Sequence, residues 1–244
     1  MVYIGVCGWG YFSPAQYYGE NWKKKYKSIL QAYASILPCV EVNSTFYRIP
    51  RIETVSRWRK EVDELNKNFI FTVKCFQGIT HFHKFRGEEC FNEFKTMEAI
   101  CQQLRSKILV FQTARSFTPS KENLANAKKF FNRIKTNLSI VWEVRGNLWK
   151  DRLVKDLFEE LGIIHCVDPF TEREPQNLGK EKIVYLRLHG CPPGDRMYNY
   201  KYTEDDLEKL ATKLKKWKKE AGEVYIMFNN YSMYEDALAF RERI

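Results

Sequence analysis

No stretch of the 244-residue chain approaches the ~20 consecutive apolar residues of a membrane-spanning helix, which excludes a helical membrane protein. The amino-terminal MVYIGVCGWG runs directly into a strand-like segment, without the basic, apolar and cleavage regions of a secretory leader. The expectation is a soluble, cytoplasmic protein with no membrane partner. Cys7, Cys39, Cys75, Cys90, Cys101, Cys166 and Cys191 make an odd total of seven with no C-x-x-C pair. That spacing argues against a zinc knuckle and against a disulfide framework. Neither G-x-S-x-G nor G-x-x-x-x-G-K-S/T occurs, which removes the hydrolase nucleophile elbow and the P-loop. Low-complexity segments and linkers that would divide the chain are missing as well.

What is present is a rhythm. Eight β-branched or aromatic runs recur at roughly the ~30-residue spacing of a strand-plus-helix unit: Tyr3–Cys7, Cys39–Asn43, Phe69–Cys75, Ile108–Gln112, Ile140–Arg145, Ile163–Asp168, Ile183–His189 and Glu223–Asn229. Helical spacing of apolar residues lies between them over Tyr26–Ile36, Thr54–Leu65, Phe91–Leu104, Asn123–Ile134, Leu153–Leu161, Glu204–Ala221 and Tyr234–Arg243. Thr203 is a natural N-cap for the Glu204 helix, with Asp206 in its first turn. Thr171–Lys182 is a longer polar stretch, and CPPGDRMYNYKYT after the seventh run is the most irregular loop. This alternation and length, close to the ~250 residues such a fold needs, predict an α/β chain forming a single (β/α)8 TIM barrel over residues 1–244. Cys7, Cys39, Cys75 and Cys166 fall inside the strand-like runs, where a free thiol packs as a small apolar side chain.

Each run closes on polar residues: Glu41, Asn43, Lys74, Gln112, Glu143, Arg145, Asp168, Arg187, His189 and Asn229. In a barrel these converge on the carboxyl-end face, where barrel enzymes keep their chemistry. A charge inside a strand buried on both faces needs a partner or a purpose. Glu41 and Glu143 are the leading carboxylates, either dividing into general acid and base or ion-paired to Arg145 or Arg187. Lys74 is either a nucleophilic amine of lowered pKa or a counter-charge for Glu41 or phosphate. Arg145 and Arg187 suit phosphate or carboxylate, and His189 and His81 are proton relays or hydrogen-bonded structural residues. Asn43, Gln112 and Asn229 suit ligand hydroxyls. Trp9, Phe46, Tyr47, Trp149, Tyr198 and Tyr202 either rim the pocket, stacking on a base or sugar, or belong to the core. No organic cofactor is expected; a single divalent ion on Glu143, Asp168 and His189 follows only barrel periodicity, not a local ligand motif.

Lys+Arg of 40 against Asp+Glu of 30 gives a formal charge of +10, which attracts polyanions. With 15% aromatic residues to stack on bases, nucleic acid, DNA in particular, is the expected partner, and a phosphate-containing or anionic ligand the expected occupant. Lys23–Lys25 and Lys213–Lys219 equally fit solvated helix faces.

Read together, GWGYFSPAQYY, VEVNSTFYRIP, FTVKCFQGITH, VWEVR with Trp149, YLRLHG and FNN resemble the domain of unknown function 72 family, the YecE-like proteins. The resemblance spans nearly the whole chain with motifs in family order. It implies a TIM barrel and carries over Trp9, Glu41, Asn43, Thr45, Phe46, Tyr47, Lys74, His81, Gln112, Glu143, Arg145, Trp149, Asp168, Arg187, His189 and Asn229 as site positions. The family is similar in architecture to xylose-isomerase-like barrels, which include endonuclease IV. Four histidines, His81, His83, His165 and His189, are too few for that enzyme's three-metal site. Candidate catalytic residues are therefore Glu41, Lys74, Glu143 and His189. The expected activity is a DNA-repair-type hydrolase cleaving a glycosidic or phosphodiester bond in a flipped nucleotide. The alternatives are an isomerase or lyase for a small phosphorylated sugar or carboxylate, and a noncatalytic nucleic-acid-binding module.

Overall fold

Runs of β-branched residues buried on both faces form parallel strands, and eight of them close on themselves. In the computed structural model, which describes residues 1–171, 173–190 and 197–244, these are β1 (Val2–Val6), β2 (Cys39–Val42), β3 (Ile70–Lys74), β4 (Ile108–Gln112), β5 (Ser139–Glu143), β6 (Ile164–Val167), β7 (Ile183–Leu188) and β8 (Glu223–Phe228). Each is hydrogen-bonded to its sequence neighbours, and β8 pairs with β1. The (β/α)8 barrel expected from the spacing is thus present. Asn43, Cys75, Arg145, Asp168, His189 and Asn229 lie just past the last ladder residue of their strands. Gly5 sits opposite Cys39, and a Cβ there would meet the Cys39 carbonyl oxygen at 2.5 Å. Only glycine lets β1 approach β2 this closely.

The outer layer comprises α1 (Pro14–Tyr18), α2 (Ile29–Ala34), α3 (Ser44–Tyr47), α4 (Ile52–Asp63), α5 (Glu89–Leu104), α6 (Lys121–Arg133), α7 (Asp151–Leu161), α8 (Glu204–Glu220) and α9 (Met233–Arg243). The second helix is shorter than the Tyr26–Ile36 pattern because the Ser28 hydroxyl accepts the Gln31 N–H and caps it there. At the mouth, α1, α3, a 3-10 turn over Glu20–Lys24 and a π-helical turn over Gly78–Phe82 occupy segments that read as loops. Turns of four or five residues are too short for helical periodicity to register. Between β6 and β7 the polar stretch forms no helix among the described residues. None of the helices is long and apolar enough to cross a membrane among the described residues.

Alternation along the strands separates two apolar clusters. The larger lies between barrel and helices, and the smaller fills the barrel with Cys7, Cys39, Ile108, Val110, Val141, Ile164, Cys166, Ile183, Tyr185, Tyr225 and Met227. Two residues beyond this filling on β2, β4, β5 and β7 stand Glu41, Gln112, Glu143 and Arg187, so a polar layer floors the mouth. All six described cysteines are buried free thiols, and Cys191 lies outside the described residues.

The long helix α8 opens as expected on a capping box: the Thr203 hydroxyl accepts the Asp206 N–H while the Asp206 carboxylate accepts the Thr203 N–H. Thr203→Ala is expected to cost about 1 kcal/mol, seen as a lower urea midpoint with an unchanged slope.

Candidate active site at the barrel mouth

Arg187 is the hub of the floor and is wholly buried. Its Nη2 and Nε donate to Glu41 at 2.9 and 3.1 Å, a two-pronged clasp across the barrel from β7 to β2. Its Nη1 donates to Glu143 Oε2 at 2.5 Å and to Gln112 Oε1 at 3.3 Å. The Tyr185 hydroxyl donates to Glu41 Oε2 at 3.0 Å. Burial alone lifts a carboxyl, but the guanidinium groups of Arg145 and Arg187, with His189, reverse this and hold Glu143 well below the usual carboxylate range. A general base works best with a pKa near the operating pH. Glu143 is instead a fixed anion whose lone pairs are taken by two arginines.

Lys74, at the end of β3, differs from its neighbours. Its side chain is buried, and its ammonium forms no hydrogen bond or ion pair among the described residues; it sits over the Phe46 ring at 4.0 Å. Burial and adjacent Arg187 pull its pKa down to about 8, against the opposing pull of Glu41 and Glu143. His81 packs edge-on against the same ring at 5.0 Å and is half-buried, which together with Lys74 and Arg145 lowers its pKa and favours the neutral imidazole. A neutral imidazole on the ring that also carries the Lys74 amine is a usable proton acceptor.

On the far side, the Asp168 carboxylate accepts the His189 N–H at 2.9 Å and faces Nδ1 at 3.1 Å. His189 Nε2 thereby turns towards Arg145 and Arg187, at 3.3 and 3.4 Å. Above it opens a cavity of about 410 Å³ with Arg115, Arg145, Arg173 and His189 in its wall. A second cavity of about 410 Å³ lies over β1 and β2, lined by Cys7, Trp9, Tyr11, Asn43, Tyr47 and Trp58. The buried Asn43 Oδ1 has no hydrogen-bond donor, which leaves an acceptor for a ligand. A third cavity, about 210 Å³ between Tyr3, Arg59, Lys107 and Tyr225, sits at the amino end, the face that barrels use for stability.

Most expected site residues are therefore brought together. Glu41, Lys74, Gln112, Glu143, Arg145, Arg187 and His189 form the floor; Trp9, Asn43 and Tyr47 line one cavity, and Tyr198 packs on His189 at 5.7 Å. Asn229 is half-buried at the end of β8. Trp149 and Thr45 change from ligand contacts to structural residues, the open rim-or-core reading of Tyr202 resolves to core, and Asp168 lines the cavity with its carboxylate already engaged. Trp149 is buried between Phe117 and Trp142, its indole N–H donating to the Phe117 carbonyl, so it belongs to the core and not to the rim. Tyr202 is buried and accepts the Gly190 N–H. Thr45 is buried with its hydroxyl between the Val42 and Lys74 carbonyls, tying α3 to β3. Asp168 is spent on orienting His189 and on the Phe170 N–H. Glu143, Asp168 and His189 do not converge as a metal set: Asp168 faces Nδ1, while Glu143 stands 3.8 Å from Nε2. No group of three His, Cys, Asp or Glu side chains able to hold a metal ion occurs among the described residues. Tyr185, Arg115 and Arg173 were not anticipated; Tyr185 reads as barrel filling, and the arginines lie in loops without periodicity.

Residues 3–244 match the family described as protein of unknown function DUF72. The UPF0759 protein YunF of Bacillus subtilis is 27% identical over 267 aligned residues, covering 95% of this chain and 89% of YunF. A crystal structure of a DUF72 family protein from Enterococcus faecalis is 26% identical, with a TM-score of 0.76 and coverage of 99% of this chain and 94% of that one. A DUF72 family protein from Thermotoga maritima shares the fold at 22% identity, with a TM-score of 0.78 over 100% of this chain and 98% of its own.

Proposed function

The chain belongs to the DUF72 family of proteins of unknown function, and from its mouth geometry we propose a lyase or isomerase that engages the carbonyl carbon of a phosphorylated sugar through the amine of Lys74. The observation that carries this is the state of that amine: buried, unpaired among the described residues and shifted to about 8. At pH 7 about a tenth of such a lysine is neutral, against well under a thousandth of an ordinary one. The neutral amine adds to the carbonyl carbon, water leaves, and the resulting iminium withdraws electrons from the adjacent carbon, whose proton the neutral His81 accepts. Arg115, Arg145 and Arg173 line the cavity suited to the phosphate.

Hydrolysis by a carboxylate-activated water asks for a base that is not already engaged. Glu41 and Glu143 are both clasped by Arg187, and His189 Nε2 faces two guanidinium groups. The amine is the reactive group these contacts leave open.

The test is reductive trapping. With aldose and ketose phosphates and sodium cyanoborohydride, Lys74 is expected to gain the mass of the sugar phosphate less one oxygen, located by peptide mass spectrometry. The nucleophile is the deprotonated form, so the trapping rate should climb as pH rises through about 8 and then level off. A rate flat from neutral to alkaline pH, or adducts spread evenly over surface lysines, would falsify the reading.

A further inference from the structure

Four aromatic side chains stand largely open to solvent: Tyr11 at 91%, Tyr47 at 66%, Phe82 at 65% and Tyr231 at 79% exposure. They follow β1, β2, β3 and β8 respectively, so all lie at the carboxyl end. Because the barrel closes β8 onto β1, these strands are consecutive and the rings form one arc over half of the mouth. The other half, after β4, β5 and β6, carries Arg115, Arg145 and Arg173. Lys74 lies on the floor beneath. Arg48, Arg51, Lys84 and Arg115 in the same loops form no ion pair among the described residues.

An exposed apolar rim signals a partner. Unpaired cations in the mouth loops, Arg48, Arg51 and Lys84 among them, select an anionic partner, and open aromatic faces beside them suit the flat faces of bases. We propose that the mouth binds single-stranded nucleic acid, its bases stacked along the Tyr11–Tyr47–Phe82–Tyr231 arc and its phosphates on the arginine side. The proposal rests on the Lys74 reading for its chemistry and names what carries the carbonyl: an open-chain abasic deoxyribose within the strand. Lys74 adds to its C1′ and expels water to give the iminium. Loss of a C2′ proton then breaks the C3′–O bond, the 3′ phosphate leaves with the bonding electrons, and hydrolysis returns the amine.

Binding is tested by fluorescence anisotropy with an end-labelled single-stranded oligo-dT. Affinity should fall with salt along a log–log slope of about −3, as expected for four phosphate contacts. Tyr11→Ala, Tyr47→Ala and Tyr231→Ala should each weaken it about fivefold to a hundredfold, while Leu65→Ala, an exposed residue following α4, leaves it unchanged. Rim variants that bind like the parent overturn the proposal. So does an absence of oligonucleotide binding together with rim-dependent self-association in sedimentation, which assigns the arc to protein contact. Strand binding that fails while Lys74 still traps small sugar phosphates removes this proposal alone; tight binding without trapping removes the amine chemistry and leaves the surface.

Discussion

Arg187→Met is expected to lower stability by about 3–5 kcal/mol, because it leaves Glu41 buried without its counter-charge and Glu143 with Arg145 as its one remaining arginine. Glu41 is wholly buried and Glu143 nearly so, and the guanidinium is the cation shared by both. The cost arises from stranding the carboxylates, so it should shrink when they are neutralised. Adding Glu41→Gln and Glu143→Gln to Arg187→Met should recover a large part of the loss, a non-additivity typical of groups in one network. Urea denaturation of the single and triple variants measures both. A single-variant loss below about 1 kcal/mol, the range of an exposed pair, would show that water reaches the hub.

Lys74→Met should move activity and stability in opposite directions. Trapping of sugar phosphates should fall to background, while the fold gains roughly 1–3 kcal/mol near neutral pH by losing a buried cation with no hydrogen-bond partner. The sign follows from linkage. The folded-state value of Lys74, about 8, lies below its ordinary 10.5, so between these values the unfolded chain holds more protons than the native one. Stability from this residue therefore rises with pH from about 8 to 10.5 in the parent, and that rise should vanish in Lys74→Met. Comparing the two proteins across this range cancels the buried tyrosines and thiols, which also titrate at alkaline pH. A variant that loses stability instead would make Lys74 a structural counter-charge for Glu41.

The period-two alternation of the strands explains why so much of the floor was legible from sequence. A polar residue in phase with Tyr185, Val141 or Cys39 has to point into the barrel, so Arg187, Glu143 and Glu41 could be placed together from spacing alone. Their pairing was not legible, because periodicity gives direction and not distance; whether Glu41 and Glu143 face water or Arg187 is decided by where β7 lies across from β2 and β5. Rings in loops were harder still. Trp149 occupies the same kind of position as Trp9, yet Phe117 and Trp142 draw it beneath the surface, while Tyr47 beside buried Phe46 is left outside. Loop side chains obey local packing, for which no period exists, and the exposed Phe82 and Tyr231 carried no signal at all.

Arg187, on the seventh strand, takes its partners from three earlier ones: Glu41 from β2, Gln112 from β4 and Glu143 from β5. The molecule consequently has no severable half. A fragment ending after β4 would keep Glu41 with its cation gone, and one beginning at α6 would hold Arg187 with its Glu41 clasp missing and Glu143 as its remaining carboxylate. Splitting the chain at either point therefore forfeits the floor of the mouth, and a substitution on one wall of the hub is felt by the carboxylate on the wall opposite.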